Sequence, residues 1–407
     1  MRRSLPLVRQ PPSPIHIPAC QRRRRGASAV ERKQSRRSLI ATASSTAVHA
    51  SRRAQPYAGT ETFPPLTQAY LQIAHVVRET GLLRRTPWFY AVVGVALLAT
   101  LAGFLAGSVL LGHSWFQLLI AAGLGILFTQ VAFLAHEAAH RQILTTGPAN
   151  DRLARALGAV AGMSYSWWDS KHTRHHANPN RVGKDPDIEV DTISFVVEDA
   201  AEARGLRAWI TRRQGWLFFP LLTLEGLNLH FLSFRHLFSR GKVKGRWTEL
   251  GLITLRFGLV LVPLFWLLPL GMAFAFLGVQ LAVFGLYMGA TFAPNHKGMA
   301  VIARDAKLDF FSKQVRTSRN ITGGWWATWL MGGLNYQVEH HLFPSMPRPH
   351  LAKARRIVRE QCERLAVPYT ETSLWRSYGI VVGYLNRVGL AARDPFECPV
   401  TAAYRRA

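Results

Sequence analysis

Residues 86–136 read TPWFYAVVGVALLATLAGFLAGSVLLGHSWFQLLIAAGLGILFTQVAFLAH, and between Arg85 and Glu137 there is no Asp, Glu, Lys or Arg. A helix needs about 20 apolar residues to cross a bilayer. The run therefore predicts two crossings, near 88–111 and 115–135. A second uncharged run lies between Arg256 and Lys297. Beginning near residue 250 and broken at Pro269 and Gly271, it predicts two more, at about 250–269 and 271–293. These lengths exceed a soluble core helix, and the chain reads as an all-α membrane protein with four spans. Arg256 is expected one to two turns inside the third span, snorkelling to the surface.

Charge orients the spans. The connections at Gly112–Ser114 and around Pro269 carry no Lys or Arg, whereas residues 136–248 and both tails are rich in them. The positive-inside rule then places both termini and the middle segment in the cytoplasm. Trp88, Trp115 and Trp266 fall near expected helix ends, as interfacial aromatics do. Trp325, Trp326 and Trp329 read equally as a membrane-facing or substrate-facing surface and as core. Residues 216–234, interrupted by Pro220, Glu225 and His230, are expected at the interface or under a cytoplasmic cap. Residues 350–366 have apolar positions at helical spacing beneath basic ones, an amphipathic helix lying on anionic lipid or against the cap.

The chain has 50 Lys plus Arg against 23 Asp plus Glu, a formal charge of +27. Residues 1–55 hold thirteen of the basic side chains and one acid, Glu31. This Arg/Ser-rich leader reads as disordered, a composition that a start assigned upstream of the true one would also produce. Residues 56–365 are expected to form the membrane domain and 366–407 a C-terminal cytoplasmic tail. Nucleic-acid binding is excluded, because the basic leader has neither interleaved aromatics nor a folded module to position it. The cysteines Cys20, Cys362 and Cys398 form no CxxC pair, which excludes a disulfide scaffold and a zinc ribbon.

Histidines carry the chemistry. His136 and His140 (HEAAH) are four apart; His172, His175 and His176 (HTRHH) stand at i, i+3, i+4; His340 and His341 (QVEHH) repeat the last two of those positions. Such spacings share one helical face, so each set can aim its rings at one point. Seven imidazoles exceed the needs of one ion with an open position, and two ions are the economical reading. Iron, zinc, copper and nickel all suit imidazole. HEAAH alone would also fit a zinc protease, but that leaves the other two sets unemployed.

HEAAH, HTRHH followed by Asn178, Pro179 and Asn180, and QVEHHLFP at 337–344 resemble the three histidine boxes of integral-membrane fatty acid desaturases. The branch resembled has Gln in place of the first His of the third box, here Gln337. The resemblance covers about residues 60–365. It implies four transmembrane helices in two hairpins, with a cytoplasmic helical cap holding a di-metal site. It further implies two non-haem irons, without bound haem or flavin, that activate O2 with two electrons and leave a cis double bond in a fatty acyl-CoA or acyl-lipid. By the same resemblance His296 in FAPNHKGM is a ligand and Asn295 a weaker one, while Gln337 binds weakly or holds a metal-bound water. That branch often carries a fused cytochrome b5 domain with an HPGG haem motif. This sequence has none, so an external donor of ferredoxin/reductase or cytochrome b5 type is expected. Glu137, Asp169 and Glu339 are expected to hold imidazole N–H groups; Asp185, Asp187, His230 and His236 are lesser candidates. A membrane di-iron hydroxylase or ketolase of lipid, alkane or carotenoid is the rival reading.

Overall fold

The computed structural model describes residues 65–391; the leader, Cys20, Cys398 and the expectation that both termini are cytoplasmic lie outside the described residues. Helix α1 (Pro65–Glu79) precedes the first long apolar helix, α2 (Pro87–Leu111), which turns into α3 (Gln117–Ala139). Helices α4 (Gly147–Val160), α5 (Tyr165–Ala177), α6 (Val197–Ala201) and α7 (Gly205–Thr211) follow, then α8 (Gln214–Leu222) and α9 (Glu225–Leu237). The second long apolar pair is α10 (Arg246–Leu267) and α11 (Leu270–His296). Among the described residues, α2, α3, α10 and α11 are the four single helices long and apolar enough to span a membrane.

The two short turns lie side by side: the ring of His113 is 2.9 Å from the Leu267 carbonyl oxygen. Helices α3 and α11 run from that end in the same direction and pack along each other. Their C-terminal ends, at His136 and His296, therefore meet at the opposite end. Helix α3 continues through HEAAH instead of stopping before it, as the expected boundary at 135 implied.

Residues 216–234, expected at the interface or under a cap, fall in two helices. α8 and α9 bend by 73° at their junction, and both pack against α11. Glycine permits the contact: a Cβ on Gly285 would stand 2.2 Å from the Gly226 nitrogen. Arg256 does not snorkel. It is 9% exposed, its Nε donates to the Val160 carbonyl at 3.3 Å, and its guanidinium lies over Phe128 and Phe257. The aromatic faces offer this cation a local partner in place of water.

After α11 come α12 (Phe310–Thr317), β1 (Asn320–Thr322), α13 (Trp325–Leu330), α14 (Gln337–Leu342), α15 (Arg348–Arg364), β2 (Glu371–Ser373) and α16 (Leu374–Ala391). Leu351, Ala354, Val358 and Cys362 of α15 are buried in a cluster with residues of α1, α12 and α14, so this amphipathic helix packs on protein. Trp325, Trp326 and Trp329 are exposed. The boundary expected at 365 falls inside packed structure. β2 pairs in parallel with β1, and α16 buries Val381 and Leu385 against Phe218 of α8.

Candidate metal centre

Four elements deliver the histidines to one place. The last turn of α3 carries His136, with His140 as its cap; α5 carries His172, His175 and His176; α11 ends on His296; α14 carries His340 and His341. Three of these elements are anchored nearby. Glu249 of α10 accepts from Ser164 Oγ at 2.6 Å and Ser166 N at 3.1 Å, holding the start of α5. Arg319 donates to the carbonyls of Pro294 and Lys297, fixing the end of α11. Asn320 accepts from Val338 N at 2.9 Å and fixes α14.

The rings form two groups. Ligand atoms of His136, His140, His172, His176 and His340 lie within 4.8 Å of one another, as do those of His175, His296 and His341. In the first, Nε2 of His172 is 3.1 Å from that of His136, 2.9 Å from that of His140 and 3.0 Å from that of His176. In the second, Nε2 of His175 and His296 are 3.3 Å apart. Imidazoles bound to one ion at about 2.0–2.1 Å have adjacent nitrogens about 3 Å apart, so these separations fit shared cations. His340 Nε2 and His341 Nε2 are buried without a hydrogen-bond partner, a costly state for polar atoms that a cation removes.

The opposite ring nitrogens set the tautomers in the second group. His175 Nδ1 is 3.0 Å from Asp185 Oδ1, His296 Nδ1 is 2.9 Å from the Thr317 carbonyl, and His341 Nδ1 is 2.9 Å from Gln314 Oε1. An N–H donated there leaves the Nε2 lone pairs aimed inward. Burial, then neighbouring rings, hold His140, His172, His176, His340 and His341 well below the ordinary imidazole range, in the neutral form a metal needs. Burial is also the largest single effect on His175, pulling down, but Asp187 and Asp185 outweigh it and raise that ring.

Gln337 joins the group of three: its amide nitrogen is 2.9 Å from His296 Nε2, and its oxygen accepts from Asn295 at 3.1 Å. Asn295 thus donates to Gln337, and its own Oδ1 is buried without a hydrogen-bond partner. The expected carboxylate partners turn elsewhere. Glu137 pairs with Arg348. Glu339 accepts from Asn320 at 2.8 Å and Tyr369 at 2.7 Å, and its carboxyl is pushed up to about 7, chiefly by burial. Asp169 faces Asp151 and Arg141. His230 lies apart from both groups, its Nδ1 on the Gly226 carbonyl and its ring against Phe257 and Phe284. The partners that do hold rings, Gln314, Thr317 and Asp185, come from other elements, and among them spacing flagged only Asp185.

The indole of Trp168 stacks on His172 at 4.2 Å. Beside it, Ala132, His136, Met163, Met288 and Phe292 enclose an apolar cavity of about 20 Å³. A wider apolar cleft of about 410 Å³ runs between α2, α3 and α4, past Leu97, Val131 and Leu157.

Residues 113–373 match the sequence model of the family described as fatty acid desaturase. The chain is 28% identical over 347 residues to a Delta(8)-fatty-acid desaturase 2 of Arabidopsis thaliana, covering 81% of this chain and 76% of the relative. It is 31% identical over 314 residues to an acyl-lipid (8-3)-desaturase of Rebecca salina, covering 75% and 72%. To the Delta(5) fatty acid desaturase fat-4 of Caenorhabditis elegans it is 27% identical over 340 residues, covering 80% and 75%.

Proposed function

Because the chain belongs to the fatty acid desaturase family, whose members are oxidoreductases acting on fatty acyl chains, we propose that it inserts a cis double bond into an acyl chain beside two non-haem irons held by eight histidines. The observation that carries this reading is the convergence of eight ring nitrogens in groups of five and three. The group of three is completed by the Gln337 amide. With its oxygen on Asn295 and its amide nitrogen toward the rings, Gln337 would hold a water of the second ion instead of binding the ion itself.

When bound, the iron pair supplies the oxidising power that an unactivated methylene requires and that side chains lack. The overall change takes one CH2–CH2 unit, O2, two electrons and two protons to CH=CH and two waters. The chain's own part is positional. His136 stands where the apolar cavity meets the first group, and Trp168, Met288 and Phe292 shield that contact from water. The cavity holds little more than one water, so its lining must rearrange for an acyl chain to enter there. Asp185, Gln314 and Thr317 keep three rings turned inward.

The spans are read as two hairpins, with the histidine end and its helical cap cytoplasmic. The contact between the uncharged turns supports the arrangement, and the Lys/Arg asymmetry of the loops supports the orientation. The desaturase domain is taken to run from residue 56 through α16, which extends the expected limit of 365. Electrons come from a separate carrier protein. Relatives named Delta(5) and Delta(8), with the Gln-type third segment, favour a new bond toward the carboxyl side of one already present.

Expression in a host lacking polyunsaturated fatty acids, fed single defined acids, tests the reading by mass spectrometry. New double bonds, each product two hydrogens lighter than its precursor, are expected. Products heavier by one oxygen would establish a hydroxylase instead.

A further inference from the structure

Between Arg319 and Glu339 there is no Asp, Glu, Lys or Arg, although this stretch lies outside the four long apolar helices. Three contacts with α11 set its path. At its start Arg319 N donates to the Asn295 carbonyl at 2.8 Å, and near its end the Gln337 amide nitrogen is 2.9 Å from His296 Nε2. Between these points the Tyr287 hydroxyl donates to the Leu330 carbonyl at 2.6 Å. Tyr287 stands eight residues before Asn295. At about 1.5 Å per residue the chain therefore runs back along α11 by about 12 Å, turns after α13 and returns.

The turning point lies deep. Tyr287 is 17 residues past Leu270, where α11 starts, and Gln130, whose Nε2 donates to the Trp329 carbonyl at 3.3 Å, is 13 past Gln117, where α3 starts. These positions are about 26 and 20 Å along their helices, short of the about 30 Å of a bilayer's hydrocarbon core. A helix that ends at such a depth has no water for its last carbonyls and needs protein donors. Gln130 and Tyr287, joined to each other at 2.7 Å, are those donors for α13. The turn that follows is held against protein: a Cβ on Gly332 would stand 2.5 Å from the Phe133 ring. The outer side is aromatic. Trp325, Trp326 and Trp329 are 83%, 41% and 59% exposed.

We propose that residues 320–336 are a re-entrant membrane element, which dips into the leaflet on the histidine side with its tryptophans against lipid acyl chains and leaves by the face it entered. The inference rests on α3 and α11 crossing the bilayer. Depth along both helices argues for lipid as the partner, as do the absence of charge and the internal satisfaction of the α13 carbonyls, which a water-facing helix end does not require. Tryptophan is also the side chain that membrane boundaries favour. Polar side chains at membrane depth call for a task, and capping α13 is the one Gln130 and Tyr287 perform. Gln337, His340 and His341 follow the dip directly. The element thus fixes the third histidine segment at the lipid boundary.

The test places a fluorescent thiol label at Trp329→Cys in the full-length, iron-loaded chain in phosphatidylcholine nanodiscs, with Cys20→Ser and Cys398→Ser and the buried Cys362 kept. Quenching by lipid brominated along the acyl chain is compared with quenching by aqueous iodide. Leu105→Cys, on the exposed side of α2, is the lipid standard, and Glu360→Cys, on the charged side of α15, the water standard. The lipid-to-iodide ratio at Trp329→Cys should approach that at Leu105→Cys and exceed that at Glu360→Cys about tenfold. Trp325→Cys, on the same helix, gives the reading if the first variant loses iron. A ratio nearer the Glu360→Cys value would overturn the proposal. So would protection from both quenchers, which would mean that a second copy or another protein covers the tryptophans. An iodide-dominated Leu105→Cys would instead overturn the reading of the long apolar helices as spans.

Discussion

Arg348, at the start of α15, forks onto Glu137 in the middle of the first histidine segment: Nε lies 2.8 Å from Oε1 and Nη2 2.5 Å from Oε2. Both side chains are buried, and Tyr90 of α2 closes the network, its hydroxyl 3.3 Å from Glu137 Oε1 and 3.2 Å from the Arg348 amide nitrogen. One ion pair thus ties α15 to the long apolar helix α3 that carries His136 and ends at His140.

Breaking a buried pair from one side leaves an uncompensated charge, at a cost of about 3–5 kcal/mol. Arg348→Met alone should lower stability by that much, and Glu137→Gln combined with it should cost less than the two single changes together. Thermal unfolding of the detergent-solubilised protein, run as a double-mutant cycle, measures the coupling. Additive losses would mean that the pair does not hold α15 to α3.

The second metal position is tested at His296 and Gln337. His296→Ala should be inactive with reduced iron, because it removes one of three imidazoles. Gln337→Ala should be impaired about 10- to 100-fold yet still iron-loaded. A fully active His296→Ala would remove that residue from the centre, and an iron-free Gln337→Ala would make the amide a principal ligand.

Asp185 fixes the tautomer of His175 and also accepts from the Asn180 amide at 2.6 Å. Asp185→Asn preserves shape but takes away the charge that favours an N–H on Nδ1. Iron affinity should fall about 10- to 100-fold, with helix content unchanged by circular dichroism. Unchanged iron retention under a chelator challenge would show that His175 needs no carboxylate.

Ala132 lines the apolar cavity next to His136 and is buried. Ala132→Phe should abolish or shorten the products while leaving iron in place, at an overpacking cost of about 1–3 kcal/mol. Normal products from a normally folded variant would move the acyl path elsewhere.

The histidine positions were legible in the sequence because their spacing is local: i, i+3 and i+4 put rings on one face whatever else the chain does. The spans were legible because bilayer thickness fixes a length. Their partners were not. Gln314 reaches His341 across 27 positions and Glu249 reaches Ser164 across 85, and neither pairing leaves a periodic trace. Glu137 and Glu339 sit beside the rings in sequence, but helical geometry turns adjacent side chains about 100° apart, toward Arg348 and Tyr369. Arg256 was misread because snorkelling assumes a lipid-facing side chain, whereas this one faces Phe128. The bend between α8 and α9 depends on close packing at Gly226 and Gly285, which composition does not encode.

Topology offers an independent check. Reporter fusions at Gly112 and Gly271 should read as external, and a fusion at Gly183 as cytoplasmic. An external Gly183 would place the segment after α5 on the wrong side of the membrane for a cytoplasmic carrier.

The central claim, that two irons act together in eight histidines, is tested most directly by adding ferrous iron to the metal-free full-length chain and counting product against equivalents bound. Product should stay near zero through the first equivalent, rise with the second and level off at two irons per chain. Activity that saturates at one equivalent, or that zinc supports equally, would contradict the account.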